Sequence, residues 1–305
     1  MPKPKTGMPL DGIVLIDKPL GLSSNAALQK TKRIFNARKA GHTGSLDPLA
    51  TGVLPICFGE ATKISAFLLD SDKRYTTTIQ LGQIRSTGDM EGEVLETRPV
   101  PKLSTELIEE VLGSFRGDVA QIPPMHSALK HEGTPLYKLA RKGISVERKV
   151  RHIKIHELLN LGFTEDTLTL DVHCSKGTYI RTLAQDIGEA LGCGAHLIDL
   201  RRTEVAPFGE HSIYTLETLT EMASTGSLEG TLLPIDSAIP HWPSLDLSDE
   251  QAENLCMGRR VTHDNIPDSD SIRLYRSNGS FLGIGQLHES GLLAAKRLLR
   301  TDKVS

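Results

Sequence analysis

The sequence predicts an α+β fold, because strand patterns and helix patterns are mixed along one chain. Residues 12–17 form a short apolar run that indicates a buried strand. Residues 74–81 alternate in polarity and are rich in threonine, which is typical of a strand. Between them, Ser23 or Ser24 can cap a helix that we expect to run to about Lys39.

The remaining predicted elements rest on the same criteria. Residues 153–163 and 167–174 are expected to pair as strands around a turn, and a helix is expected over 178–191. Three further predictions are a strand at 53–57, a helix at 60–69 and a capped helix at 104–113.

The length of 305 residues suggests about two domains. We expect a flexible N-terminus at 1–9, a large domain over 10–240 and a small domain over 246–305, with a proline-containing linker at 231–246. The small domain is predicted to be mostly β. Its predicted elements are a capped helix at 248–257 and strands at 272–275 and 281–286.

Composition excludes several classes of protein. A hydrophobic fraction of 38% and a charged fraction of 24% are typical of a globular chain and exclude disorder as the main state. Apolar runs such as 53–58 are far shorter than the roughly 20 residues of a membrane helix. We expect no secretory signal. The four cysteines are scattered, which argues against disulfides and structural zinc and favours a cytoplasmic location.

Positive charge is concentrated in two segments, although the net charge is −3. Residues 18–46 contain six basic residues and no acid, and residues 141–154 contain six basic residues against the single acid Glu147. Such runs are often only a solvated face of a protein. Two of them on an acidic chain also fit an anionic partner.

The loop at residues 41–52 carries the densest set of candidate chemical residues. Its glycines allow tight turns and close approach to a ligand. Asp47 precedes Pro48, which disfavours helical geometry at Asp47. Two interpretations stay open for Asp47: an Asx turn, in which the carboxylate bonds only its own backbone, or a catalytic acid. His42 is likewise either an ordinary imidazole or a functional one.

A second candidate segment, residues 175–181, lies where a predicted strand ends and a helix begins. Arg181 falls in the first turn of that helix, where a cation is unfavourable because the helix N-terminus is already positive. A carboxylate partner would explain this position, and a side chain extended over the surface is the alternative. Tyr75, at the start of an alternating strand, is by default a core aromatic residue.

Five segments can be compared with known families: KPLGLSS at 18–24, GHTGSLDPLATGVLP at 41–55, KRY at 73–75, PPMHSALK at 123–130 and SKGTYIR at 175–181. Together they resemble the signature sequences of the bacterial tRNA pseudouridine-55 synthases of the TruB type. That family isomerises one uridine in the TΨC loop of tRNA. Residues 247–261 resemble part of a PUA domain. The 41–55 segment is highly specific, whereas each other segment alone is weak.

The resemblance implies an architecture. A catalytic domain of the pseudouridine-synthase type would occupy 10–240, with a largely antiparallel mixed sheet flanked by helices. A PUA-like RNA-binding domain would occupy 246–305. Residues 123–150, which show little apolar periodicity, would form an arm that closes over the T arm of tRNA.

The resemblance also implies residue roles. Asp47 would be the essential catalytic aspartate, Arg181 would pair with it, and Tyr75 would stack on the target uracil. His42 would help to hold the RNA loop open. The expected partner is the T arm of tRNA, bound by a monomer that needs no other protein and no membrane. The expected RNA contacts are His42, Tyr179, Lys18, Arg141, Lys142, Arg148, Lys149 and Arg151.

The chemistry of this isomerisation fits a site with one carboxylate. Glycoside hydrolysis uses two carboxylates, but here the detached base is kept and rejoined through C5, so one acid suffices and we expect neither cofactor nor metal. Asp47 could attack C1′, take a proton from C2′ or add to C6, and all three routes need the ionised acid. A phenol pKa of about 10 favours stacking over base catalysis for Tyr75.

Three other functions stay open. The chain could bind or fold RNA without catalysis, in which case Asp47 would be dispensable. It could be a small-molecule carbohydrate enzyme that uses Asp47 with a second acid such as Asp89, in which case the basic arm would be unnecessary. It could also perform the same isomerisation on another RNA, such as ribosomal RNA.

Overall fold

A large mixed sheet and a small C-terminal sheet organise the chain. The structure, a computed structural model, describes residues 7–300, so positions 1–6 of the predicted flexible N-terminus lie outside the described residues. The helices are α1 Ser24–Ile34, α2 Ser65–Leu69, α3 Thr105–Gly113, α4 Leu136–Ala140, α5 Ile180–Ala190, α6 Leu216–Thr225 and α7 Asp249–Cys256. The strands are β1 Gly12–Lys18, β2 Ala40–His42, β3 Ala50–Phe58, β4 Lys73–Leu81, β5 Gln83–Arg85, β6 Val94–Thr97, β7 Gly117–Gln121, β8 Lys130–His131, β9 Thr134–Pro135, β10 Arg151–Phe163, β11 Thr167–Cys174, β12 Ala195–Val205, β13 Ser244–Leu247, β14 Ile272–Arg276, β15 Phe281–Leu287 and β16 Leu293–Leu298.

The large sheet has eight strands. Its strands lie in the order β1, β3, β12, β4, β11, β10, β7, and β2 pairs with β3. The β3–β12 pair is parallel, and the other pairs are antiparallel. A second sheet of four strands, in the order β13, β14, β15, β16, forms the small C-terminal part. The predicted α+β class, with a largely antiparallel mixed sheet and a small β-rich C-terminal part, is confirmed.

Strand β4 brings the candidate tyrosine to the centre of the sheet. Its residues alternate between buried and half-buried, because one face of the strand packs on the core. Tyr75 is on the buried face. Helices α3 and α5 cover this part of the sheet with apolar side chains such as Ile108, Leu183 and Ile187. The residues of α5 that pack here recur at helical spacing, and this fixes the rotation of the helix about its axis.

Two helix predictions are wrong in extent. Helix α1 ends at Ile34 and not at Lys39, because Asn36 adopts a left-handed conformation with φ of 44°. The amide of Ala37 then bonds back to the Lys32 carbonyl and closes the helix end. The predicted helix over 60–69 is a 3₁₀ segment, Gly59–Lys63, followed by the short α2.

Strand β12 lies at the centre of the large sheet, yet no element was predicted for residues 195–205. The charged run at 201–204 resembles a surface segment. In the structure, Arg202 is buried with 1% of its surface exposed, whereas Arg201 lies on the opposite side and pairs with Asp17. Because charged residues are rarely buried, an arginine on the buried face of a strand removes the apolar pattern by which strands are predicted.

The C-terminal part follows the predictions at its helix and its hairpin. Helix α7 begins with a capping box between Ser248 and Gln251. Strands β14 and β15 correspond to the two predicted strands. Strand β13 begins within the predicted linker and ends one residue beyond it, and β16 was not predicted. In the described part of the chain, no helix combines the length and apolar character needed to cross a bilayer.

Candidate active site

The loop between β2 and β3 is fixed on both sides of Asp47. On one side, the Leu46 amide donates to Ser24 Oγ at 2.7 Å, and this hydroxyl donates to the Leu46 carbonyl at 3.0 Å. On the other side, the Gly21 amide donates to the Pro48 carbonyl at 2.8 Å. The first turn of α1 and the turn after β1 therefore hold the aspartate in place.

Arg181 meets Asp47 from the first turn of α5. Its Nη2 lies 3.0 Å from Asp47 Oδ2. The side chain of Arg181 is only 8% exposed, whereas that of Asp47 is 46% exposed. The structure therefore pairs the two residues and directs the Asp47 carboxylate to a guanidinium, which is not the Asx-turn arrangement. A half-exposed carboxylate is therefore held by a buried guanidinium.

Arg181 is itself held by the neighbouring loop and by the arm. Its Nη1 lies 3.4 Å from Asp89 Oδ2 and donates to the Thr87 carbonyl at 3.1 Å. Its Nη2 also donates to the His126 carbonyl at 2.6 Å. Three hydrogen-bond acceptors and the ion pair with Asp47 surround the guanidinium, so its orientation toward Asp47 is well determined.

The N-terminus of α5 is capped by a side chain from another strand. Tyr179, the N-cap residue, makes no side-chain cap of its own. The Tyr179 amide donates to Gln121 Oε1 at 2.9 Å, and Gln121 Nε2 donates to the Tyr179 carbonyl at 3.1 Å. Gln121 ends β7, where the arm begins. This amide pair joins the base of the arm to the helix that carries Arg181.

Burial dominates the electrostatics of Asp47. Loss of solvent raises the pKa of Asp47 above its usual range, and the Asp89 carboxylate adds to this rise. The positive charges of Arg181 and Lys18 oppose it. These two cations therefore favour the ionised form of Asp47, whereas burial disfavours it.

Tyr75 lies next to a second arginine. Its side chain is 9% exposed, and burial raises the pKa of its phenol, while the Arg202 guanidinium beside the hydroxyl opposes that rise. The charge of Asp47 also acts on the phenol. Because the raised pKa keeps the phenol neutral near pH 7, the surroundings of Tyr75 disfavour a role as a base.

Three family models match consecutive parts of this chain. "TruB family pseudouridylate synthase (N terminal domain)" matches residues 32–180, "tRNA pseudouridylate synthase B C-terminal domain" matches 181–240, and "Pseudouridine synthase II TruB, C-terminal" matches 243–299. The chain is 52% identical over 296 residues to tRNA pseudouridine synthase B of Stutzerimonas stutzeri, covering 96% of this chain and 97% of the relative. It is 50% identical over 316 residues to the protein of the same name from Shewanella woodyi, covering 100% and 99%. The chain belongs to the TruB family of pseudouridine synthases.

Solved structures support the same fold at lower identity. A chain in the crystal structure of a Cbf5-Nop10-Gar1 complex matches with a TM-score of 0.73 and 24% identity, covering 97% of this chain and 90% of that chain. A chain in an H/ACA RNP bound to a substrate RNA containing 2'-deoxyuridine matches with a TM-score of 0.73 and 22% identity, covering 99% and 92%. As a TruB-family member the chain is an isomerase, and its main sheet has the pseudouridine-synthase fold.

Two predicted RNA contacts of this TruB-family chain are half-buried, and of these Tyr179 interacts with both Arg181 and Asp47. His42 is half-buried at the end of β2, and burial together with the charge of Arg202 lowers its pKa, so its ring is neutral at neutral pH. Within residues 7–300, His42 Nδ1 is buried without a hydrogen-bond partner. Tyr179 is half-buried at the start of α5, two residues before Arg181.

Lys18 does not lie where a phosphate contact requires it. The residue is completely buried, and its ammonium donates to the carbonyls of Pro19 at 2.9 Å and Leu22 at 2.6 Å. Burial lowers its pKa to about 8, although Asp47 opposes this shift. The prediction that Lys18 is a surface contact is therefore wrong. It holds the turn that supports the catalytic loop.

The predicted arm has more regular structure than its sequence suggests. Residues 123–150 contain the β8–β9 hairpin and α4. Most of its predicted RNA contacts are exposed, but Arg148 is half-buried and donates to the Pro123 carbonyl at 3.2 Å. Arg148 thus closes the base of the arm. The other predicted contacts, Arg141, Lys142, Lys149 and Arg151, are exposed, and Arg151 lies just after the arm at the start of β10.

Two residues of the site were not identified from the sequence. Asp89 was considered only as the second acid of a carbohydrate enzyme, and Arg202 was not considered. Asp89 is 4% exposed and lies in a loop with several other acids, which gave it the pattern of a surface residue. The KRY segment at 73–75 did indicate strand β4, which lies opposite Arg202. Nothing in that segment shows which residue of another strand will pair with Tyr75.

Proposed function

We propose that this chain converts uridine to pseudouridine at position 55 in the TΨC loop of tRNA, without a cofactor and in the cytoplasm. The observation that carries the proposal is an accessible Asp47 carboxylate held by a buried guanidinium. The related proteins are tRNA pseudouridine synthases, which supports tRNA as the substrate class. The order of the five signature segments along the chain supports the position within tRNA.

The target uridine must leave its base stack to reach Asp47. Extrusion of a base costs a few kcal/mol, and stacking on an aromatic ring returns about 1–3 kcal/mol. Tyr75 is an aromatic ring coupled to the catalytic pair, because the charge of Asp47 acts on its phenol. The ring would thus offset much of the cost of extrusion.

Asp47 then acts as the ionised acid while the glycosidic bond between C1′ and N1 breaks. The carboxylate attacks C1′, removes the C2′ proton or adds to C6. The uracil turns within the site and bonds C1′ through C5. Its C5 proton passes to solvent, N1 takes a proton from solvent, and Asp47 is released in its starting form, because the ester or C6 adduct breaks or the C2′ proton is returned. Arg181 serves all three routes, because its positive charge opposes the pKa rise that burial causes at Asp47.

The remaining parts of the proposal concern binding. Residues 123–150 act as an arm over the T arm, and the exposed basic residues of that arm contact phosphates. Residues 246–305 form a PUA-like RNA-binding domain beside a catalytic domain at 10–240, and the protein works as a monomer. Because phosphate contacts release counterions, we expect binding to weaken as salt increases.

Release of tritium from tRNA labelled at uracil C5 tests the reaction, and transcript design tests the position. We expect release from a transcript with an intact T arm, and none from one with a scrambled T arm or with uridine 55 replaced by cytidine. Equal turnover of a ribosomal RNA fragment would contradict the tRNA assignment. Tight tRNA binding without tritium release would contradict catalysis and would support a non-catalytic RNA-binding role.

A further inference from the structure

Arg202 is a buried cation that lies opposite a tyrosine in the sheet. It lies on β12, directly opposite Tyr75 on β4 and Gly52 on β3. Only 1% of its surface is exposed. Within residues 7–300, the Tyr75 phenol is the group that raises the pKa of this guanidinium, and no carboxylate is among the causes. The charge of Arg202 in turn lowers the pKa values of Lys18, His42 and Lys73. A buried charge without a counter-ion is costly, so this position requires a reason.

The guanidinium connects three parts of the site. Arg202 Nε donates to the Val53 carbonyl at 2.8 Å, and Nη2 donates to the Gly44 carbonyl at 2.9 Å. The same group lies at the Tyr75 hydroxyl. Gly44 is in the catalytic loop, three residues before Asp47. One side chain therefore contacts the loop of the catalytic acid, the strand that follows it and the tyrosine opposite.

The backbone around Arg202 leaves little freedom. Gly52 has a φ of +101°, and a Cβ at this position would lie 2.1 Å from the Arg202 carbonyl oxygen. Gly44 has a φ of +69°, and a Cβ there would lie 3.2 Å from Arg202 Nη1. Glycine at both positions allows β3 and the catalytic loop to pack directly against Arg202.

Two other buried cations near this loop differ from Arg202. Lys18 donates to the carbonyls of Pro19 and Leu22, and Lys73 donates to those of Leu68, Leu69 and Ser71. Each lysine thus satisfies backbone acceptors close to it in sequence. Arg202 spans elements that are distant in sequence and also contacts a candidate catalytic side chain. A guanidinium also stays charged where an ammonium can lose its proton.

We propose that Arg202 is a positioning residue for the isomerisation, holding the Tyr75 hydroxyl and the Gly44 end of the catalytic loop in one fixed arrangement. This inference rests on the proposed function. When the glycosidic bond breaks heterolytically, its electron pair stays on the uracil, and the detached base carries a negative charge. A permanent cation at the hydroxyl of the stacking tyrosine favours that charge, and a rigid contact keeps the ring in place while the base turns.

A double-mutant cycle tests this role. Arg202→Met removes the charge and the donors, and Tyr75→Phe removes only the phenol oxygen. We expect each single variant to lower the single-turnover rate on tRNA by about tenfold or more, as for the loss of a hydrogen bond to a charged group. The tRNA dissociation constant should stay within about twofold of wild type. Arg201→Met, on the same strand but paired with Asp17 on the other side, is the matched control and should keep the wild-type rate.

The combined variant decides between positioning and bulk stability. If Arg202 acts through the tyrosine hydroxyl, the double variant should be no slower than Arg202→Met alone. If the rate loss of the double variant equals the product of the losses in the two single variants, the proposal is overturned. A loss of rate in Arg202→Met that is fully explained by the fraction of unfolded protein in thermal melting would overturn it too.

Two further variants keep the test decisive if Arg202→Met does not fold. Arg202→Lys keeps the charge but not the fork of donors, and it should recover part of the rate in the same cycle. Tyr75→Phe alone needs no change at Arg202, and a wild-type rate in that variant would overturn the proposal. Wild-type tritium release, measured in parallel, shows separately whether the proposed function itself holds.

Discussion

Two carboxylates share one arginine in this site, and the environment of each is different. Asp89 is 5% exposed at its side chain and also accepts from the Glu91 amide at 3.1 Å and from the Thr87 hydroxyl. The side chain of Asp47 is 46% exposed and forms an ion pair with Arg181. We interpret Asp89 as the residue that orients Arg181, and Asp47 as the residue that meets the substrate. The two negative charges are close enough for Asp89 to raise the pKa of Asp47.

The fall of the single-turnover rate at low pH, which we call the acid limb of the pH–rate profile, follows from this arrangement. Because burial and Asp89 raise the pKa of Asp47, the ionised form is lost as the pH falls through a value above the usual range of an aspartate. Asp89→Asn removes one cause of the rise, so the acid limb of the single-turnover rate should move to lower pH. Glu189→Gln, on the exposed end of the same helix as Arg181, is the control and should leave the limb in place. A limb that moves to higher pH in Asp89→Asn would contradict the account.

The sequence predicted single residues where an electrostatic conflict was visible. Arg181 at a helix N-terminus favoured a carboxylate partner over a solvated side chain no more than evenly. The resemblance implied Asp47 as that partner, and the structure pairs the two. Lys18 was misplaced, because a lysine in a basic run gives no sign that backbone carbonyls will bury it. Arg202 and Asp89 were missed since their partners lie on strands and loops far away in sequence.

At the scale of elements, the Gln121 cap links the arm to α5. Gln121→Ala leaves the Tyr179 amide and carbonyl without their side-chain partner. We expect the free energy of unfolding to fall by about 1–3 kcal/mol and the single-turnover rate to fall as Arg181 loses its fixed position. Asp118→Ala, exposed on the same strand as Gln121, is the control for both measurements. An unchanged rate in Gln121→Ala would show that the cap does not contribute to Arg181 placement.

The exposed basic residues of the arm and of the strand that follows it should govern the salt dependence of tRNA binding. Lys149→Glu and Arg151→Glu replace two exposed cations with acids. We expect weaker binding and a shallower dependence of log Kd on log salt, by about 0.7–0.9 for each phosphate that the variant no longer neutralises. Lys102→Glu is an exposed control of the same charge change outside the arm. An unchanged salt slope in the arm variants would place the phosphate contacts elsewhere.

Elements were predictable where polarity alternates and one face is apolar. Strands β4 and β11 alternate cleanly and were predicted almost to the residue. Strand β12 was not, because its buried face includes Arg202 and many of its other residues are charged. The end of α1 depends on the left-handed conformation of Asn36. The spacing of apolar residues does not predict such a conformation.

At the scale of the molecule, the C-terminal sheet is packed into the main body. Ile284 of β15 belongs to the same buried cluster as Ile13 of β1. The Tyr275 hydroxyl donates to Asp236 Oδ2 at 2.6 Å, and Arg297 Nη1 donates to the Lys63 carbonyl at 2.8 Å. Shared packing of this kind joins the two sheets mechanically.

We therefore expect the protein to unfold in one cooperative transition, since neither part keeps its full core alone. Tyr275→Phe removes the hydrogen bond to Asp236 and should lower the midpoint of that transition by the equivalent of about 1–2 kcal/mol, without splitting it. Calorimetry and hydrogen exchange provide the measurement. Two separate transitions in the wild-type protein would contradict this description.

The central claim is that the Asp47 carboxylate performs the isomerisation. Its most direct test is single-turnover tritium release by Asp47→Asn on a tRNA transcript, with tRNA binding measured on the same preparation. Asparagine keeps the shape of the side chain and removes its charge, so we predict a rate at least about a thousandfold lower, with a nearly unchanged dissociation constant. Release at the wild-type rate by the folded, tRNA-binding Asn variant would contradict the account.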